Sequence, residues 1–241
     1  MQRPIKVFLV SVLSLLLIII FLKFFEVDNT ITPEDSIYIE KYLDLAEVAP
    51  LPVPRTYESE KAFIEAVQRS VLARVHGNVR KFKVGGVEPK DLYETQSALC
   101  FGRSRVIEKV LRSSGFQTRH ISLYSTEKTG SKIKSLFTRG TSSHAITEVL
   151  TKKGWLVIDS NDPWLSLDHQ NNPISLIAIQ ARLGKELIPF NASYLPHMNR
   201  IYNHPFTFVY GLYSRHGTFY PPYGFFPDVN YREFIFNLID R

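Results

Sequence analysis

The chain has 241 residues, 44% of them apolar and 22% charged, with a formal net charge of +6. These are the proportions of a globular protein, and the single cysteine, Cys100, excludes an internal disulfide and any cysteine-cluster zinc site. The mild positive charge permits contact with anionic lipid or glycan. No basic helix or aromatic RNA-binding signature accompanies it, so no nucleic-acid partner is expected.

The first segment, residues 1–26, reads as a membrane anchor. Arg3 and Lys6 precede Val7 to Leu22, sixteen residues without a charge, and Phe24 and Phe25 carry the apolar character past Lys23. A cleaved signal peptide would show small residues at its end, and Leu22-Lys23-Phe24-Phe25-Glu26 has none. A single-pass helix held in the membrane through residues 7–25 is expected, with Lys23 snorkelling. Basic residues before it and acids after it put the N-terminus in the cytoplasm and the domain on the periplasmic or extracellular side.

Residues 27–55 are a helix and a linker. Thr32-Pro33-Glu34-Asp35 is a helix start, with a cap, a proline in the first turn and then acids. The proline-rich run from Ala49 to Pro54 is a stiff extended connection. From residue 56 onward the chain reads as the main domain. Thr56 caps a second helix, with Phe63, Ala66, Val67, Val71 and Val75 at core spacing. Gly85, Gly86 and Pro89 mark a loop.

The stretch from Glu94 to Gly115 carries Cys100. Ser97 is the expected cap, and Val106, Ile107, Val110 and Leu111 form one helical stripe that ends at Gly115. Cys100 then sits in the first turn, where unpaired N–H groups and the helix dipole favour a thiolate. A lone cysteine is most often just a small buried hydrophobe. The downstream chain argues otherwise. Ser143 to Val149 reads as a strand beginning at His144, Lys152-Lys153-Gly154 as a tight turn, and Trp155 to Asp159 as a strand ending at an acid. His120, on a strand over 116–124, is assigned to the fold.

This order resembles the transglutaminase-like superfamily, a branch of the papain-like cysteine enzymes. The matching residues are Cys100, Gly115, Arg119, His144-Ala145, Glu148, Gly154-Trp155 and Asp159, within residues 94–162. Leu99 and Ile146 stand where the family usually has a small residue and a tryptophan. The resemblance implies an α+β fold, a nucleophile-bearing helix packed on an antiparallel sheet that carries the histidine and the acid. It implies Cys100 as nucleophile, His144 as its proton partner and Asp159 as the residue that orients His144. Gln96 is a candidate oxyanion donor by the same resemblance. The reaction implied is attack on a peptide or protein amide through a thioester, with hydrolysis favoured over transamidation and no cofactor or metal. The rival reading is a binding or scaffold module in envelope or extracellular glycan assembly.

The rest of the chain carries weaker signals. Ser125 to Ser143 is a polar loop with Lys128, Lys132, Lys134 and Arg139, read either as a solvated insertion or as a basic lip leading into His144. Pro173 to Gly184 suggests a short helix. The aromatic-rich stretch over 194–226 reads first as a lid over the core. Its alternative is a substrate platform, for which Trp164, Tyr213, Tyr220 and Tyr223 are the candidates. Tyr231 to Ile239 is a closing amphipathic segment with Phe234, Ile235 and Leu238 turned inward.

Overall fold

The computed structural model describes residues 2–47, 51–77, 86–185, 188–213 and 228–239. Its centre is the cysteine helix, α5 (Cys100–Ser113). The expected stripe is there: Val106, Ile107, Val110 and Leu111 are all fully buried. The rest of the helix is buried too, from Phe101 to Leu111, because other elements enclose it. These are α2 (Pro33–Ala46), α3 (Tyr57–Arg74), α4 (Pro89–Thr95) and the sheet. Gly115 follows the helix at φ +80°, a left-handed residue whose neighbour Phe116 N–H returns to the Leu111 carbonyl at 3.0 Å. A side chain there would also meet the Arg55 guanidinium at 2.9 Å.

The sheet has four antiparallel strands in the order β3-β2-β1-β4: β1 (Thr118–Ser125), β2 (Ser143–Thr151), β3 (Gly154–Ile158) and β4 (Phe206–Tyr210). Alternation along β2 and β3 divides the core in two. Ala145, Val149, Leu156 and Ile158 pack with α3 and α5 on one face. Ile146 and Val157 face a second cluster with Trp164, Leu176, Tyr202, Phe206 and Phe208. The expected α+β arrangement of helix on antiparallel sheet is therefore observed.

Several expectations change. The described part of the aromatic stretch, 194–213, is not a lid: it supplies β4, and Phe206, Phe208 and Tyr210 are core residues. Part of that stretch, 214–227, lies outside the described residues, and so do Tyr220 and Tyr223. The loop over 125–143 contains a short helix, α6 (Lys132–Phe137), capped by Ser131. Pro89 opens α4 rather than a loop. The expected helix near 173–184 is α7 (Leu176–Arg182). The segment over 27–55 is part of the domain's packing, since Ile39 and Tyr42 of α2 are buried in the first core cluster.

The N-terminal helix, α1 (Gln2–Phe24), is 23 residues long. Among the described residues no helix is long and apolar enough to cross a membrane, so the expected span is not established. In α1 side chains are described continuously from Ser11 to Phe24. The apolar side chains of that run, from Leu13 to Phe24, are nonetheless exposed, Phe24 at 79%.

At the far end, α8 (Tyr231–Phe234) and α9 (Phe236–Ile239) reverse the expected polarity. Phe234, Ile235 and Leu238 are exposed, and the residue turned inward is Glu233. Its carboxyl group accepts from the His120 backbone N–H at 2.7 Å and from Arg112 at 2.5 Å. Arg112 also holds the buried Glu108 at 2.7 Å. The electrostatic need to satisfy this cluster outweighs the apolar pattern of the segment. Burial and the neighbouring Glu108 charge push Glu233 up to about 8, while Arg112, His120 and Arg105 hold Glu108, against its burial, down to about 2.

Glu233 therefore keeps a proton in the folded chain that the unfolded chain releases near 4.5. The stability it contributes is complete below about 4.5 and is lost as pH rises through about 8. Thermal melts of wild type and Glu233→Gln between pH 5 and 9 should diverge, the wild type losing several degrees more than the variant on the alkaline side. Parallel curves would show that Glu233 is not protonated in the fold.

Candidate functional site

Cys100 is the first residue of α5, with Leu99 rather than Ser97 at the cap position. Ser97 lies two residues earlier, buried in a bridge with His76. The thiol is half-buried. Its sulfur is coupled electrostatically to His144 and to the Ala145 backbone N–H. Burial would raise the thiol pKa, but His144, the Ala145 N–H and the Arg103 charge together bring it below the ordinary value.

His144 stands near the start of β2, and Asp159 follows directly on the end of β3. The register pairs Thr147 with Ile158, so the two strands bring their adjoining ends, and these two residues, together. His144 Nε2 lies 2.9 Å from Asp159 Oδ2. Burial opposes a charged imidazole, yet Asp159 and the thiolate raise His144 to about 10. With Nε2 committed to Asp159, Nδ1 is the nitrogen that meets the thiol. The two shifts together favour a thiolate beside an imidazolium.

Asp159 is fully buried and fully engaged. Its Oδ1 accepts from the Asn161 and Asp162 backbone N–H groups at 2.7 and 3.1 Å. Its Oδ2 accepts from the Tyr202 hydroxyl at 2.8 Å as well as from His144. Burial would raise it, but His144 and these donors hold it below the usual carboxylate range. The turn carrying it is pinned from α3, where Gln68 Nε2 faces the carbonyls of Asp159, Asp162 and Trp164 at 2.8, 3.0 and 2.9 Å. Ser160 Oγ donates to the Ala145 carbonyl at 2.6 Å, tying the turn to β2.

A polar cleft of about 420 Å³ opens beside His144. Its walls include both ends of the 125–143 loop, Asn161, and Asn199, Arg200 and His204 from the aromatic stretch. His204 Nδ1 lies 2.8 Å from Glu127 Oε1 on its wall. The loop thus borders the cleft, while its basic side chains Lys132, Lys134 and Arg139 are not among the lining residues.

The structure brings together three of the residues named from sequence, Cys100, His144 and Asp159, and separates the others. Gln96 is exposed at the left-handed C-cap of α4. Its amide, turned with the oxygen on Arg74, accepts at 3.2 Å. The reason is steric: a left-handed residue ends α4, and the chain turns before reaching α5. Trp164 is not a substrate surface. It is fully buried, stacked on Tyr202 with ring centres 4.4 Å apart. Tyr213 is buried against His120 at 4.0 Å and donates to Glu108 at 2.6 Å, so it also belongs to the core. Gln68, Arg103, Asn161 and Tyr202 went unnoticed in the sequence. Arg103 was one turn beyond Cys100 and Asn161 two after Asp159, spacings that could have flagged them. Tyr202 and Gln68 are too far from the site in sequence to carry any local signal.

Residues 52–160 match the family model of the transglutaminase-like superfamily. That segment is similar to the superfamily's core domain. The match begins before α3 and ends one residue after Asp159, so Asn161, Tyr202 and β4 lie beyond it. A comparison with curated proteins finds none that matches the chain.

Proposed function

We propose that this protein is a cysteine acyl-transfer enzyme that cleaves amide bonds through a thioester on Cys100, with water as the usual acceptor. The reading is carried by the linked chain of Cys100, His144, Asp159 and Tyr202, in which every polar atom of the buried acid has a donor. The Cys100 thiolate attacks the carbonyl carbon, and the carbonyl electron pair moves onto oxygen. On collapse the carbon–nitrogen bond breaks, and the leaving amine takes the proton held by His144. Asp159 keeps the ring oriented and stabilises its charge throughout. The polar cleft beside His144 supports water as acceptor, since it brings solvent to the histidine that would activate it. The substrates proposed are peptide or protein amides.

The exposed apolar run of α1 supports a second proposal, that this helix holds the domain at a lipid bilayer with the domain on the outer side. The full chain should pellet with phospholipid vesicles, and Leu16→Arg with Ile20→Arg should release it, each mid-helix charge costing about 3 kcal/mol. A wild type that stays in the supernatant contradicts the anchor.

Acyl transfer is tested on the full chain with p-nitrophenyl acetate. The expected result is a burst of p-nitrophenol and an acetyl group on the Cys100 peptide, both lost in Cys100→Ala. Deacylation insensitive to added primary amine indicates hydrolysis, and capture of the acyl group by the amine indicates transamidation. Wild-type protein that never carries acetyl on Cys100 would sink the enzyme reading and favour a binding module.

A further inference from the structure

Arg103 is a buried guanidinium, 7% exposed, one helical turn beyond Cys100. Among the described residues it has no carboxylate partner, and its Nε has no hydrogen-bond acceptor. Its one hydrogen bond among the described residues goes to the side-chain oxygen of Asn161. A guanidinium has only donors, so this contact fixes which way the Asn161 amide faces. The oxygen is held by Arg103, and the NH2 group points the other way.

That NH2 group lies 3.5 Å from His144 Nδ1, and Asn161 lines the cleft. Asn161 is exposed there, whereas its anchor is buried. His144 Nε2 is occupied by Asp159, so Nδ1 is the nitrogen serving the thiol. When the imidazole is charged, Nδ1 and the Asn161 nitrogen are both donors and cannot bond to each other. The amide N–H is left beside the imidazole on the wall of the cleft, free to meet an acceptor on a bound substrate. Its backbone N–H is bonded to Asp159 Oδ1 at 2.7 Å, which locks its position to the acid.

We propose that Asn161 is a catalytic residue whose side-chain N–H donates to the substrate carbonyl oxygen as it becomes an oxyanion, and that Arg103 positions it. The role rests on the acyl-transfer reading above. In the step concerned, the thiolate pair forms the carbon–sulfur bond and the carbonyl π pair moves to oxygen, where Asn161 meets the new charge. When that pair returns, the bond to the leaving group breaks and His144 supplies the departing proton. Asn161 fills the place that Gln96, turned to Arg74, does not.

Two reagents separate this role from support of the thiolate. Acylation by p-nitrophenyl acetate passes through an oxyanion, whereas alkylation by iodoacetamide is a displacement at saturated carbon and makes none. In the full chain, Asn161→Ala should slow the acylation burst by about 10²-fold and leave the alkylation rate unchanged. Arg103→Leu, compared at a pH where each protein's thiol is fully ionised because the Arg103 charge also lowers the thiol pKa, should behave the same way, and adding Asn161→Ala to it should cost nothing further. Arg103→Lys, which keeps a donor to the amide oxygen, should recover part of the burst. Unchanged acylation in Asn161→Ala overturns the proposal. A parallel fall in both rates also overturns it, because Asn161 would then act on the thiolate or the fold. A wild type whose Cys100 alkylates no faster than a free thiol and gives no burst refutes the acyl-transfer reading, and this role falls with it.

Discussion

The structure depends on one buried contact, the 2.9 Å approach of His144 Nε2 to Asp159 Oδ2. An ionised carboxylate out of water is costly unless its oxygens are satisfied and a positive charge stands beside it. Asp159 meets both conditions. Two backbone N–H groups and the Tyr202 hydroxyl serve its oxygens, and the imidazolium supplies the charge. The same contact raises His144 to about 10 and so permits the thiolate next to it. Removing the acid would leave a buried imidazole whose desolvation favours the neutral ring, and the thiol would keep its own proton.

Much of the molecule serves to hold that contact in place. Gln68 on α3 ties down the turn after β3, and Ser160 ties the same turn to β2. Trp164 and Tyr202 stack behind the acid, so the hydroxyl that donates to it is fixed by packing. On its far side α5 carries a separate ionic cluster. Lys109 lies between Asp35 and Glu88 at 2.6 and 2.7 Å, and Arg112 lies between Glu108 and Glu233. These pairs join the helix to α2, to the residue before α4 and to the C-terminal segment. They contribute more to the placement of the helix than to net stability, since burying ions offsets most of their attraction. The N-terminus of α5, where Cys100 sits, is thereby held by charges at its other turns and along its sides.

Local periodicity and short-range caps made much of this legible in the sequence. Thr32 and Thr56 do cap α2 and α3 with reciprocal side-chain bonds, and the stripe from Val106 to Leu111 is the buried face expected. The order of cysteine, histidine and acid, with the tight turn between two strands, was enough to bring the three side chains together. Pairings between distant segments were not legible. Nothing near Tyr202 says that it faces Asp159, 43 residues earlier. The aromatic stretch was read as a cover because its composition does not distinguish a strand inside a sheet from a segment laid over one; β1 decides it by offering Ile121 to Ser125 as an edge. The segment after Asn230 misled for another reason. Its apolar residues suggested an inward face, yet the buried charges of Arg112 and Glu108 drew Glu233 in instead.

The measurement that bears most directly on the His144 contact is the pH dependence of Cys100 alkylation in the full chain, wild type beside His144→Ala. The account predicts a wild-type thiol that titrates clearly below the ordinary cysteine value of about 8.5 and moves back towards it in the variant. Titration at the ordinary value in both proteins, with equal slow labelling, would contradict it, because Cys100 would then be an unpaired thiol and the charged imidazole would not exist.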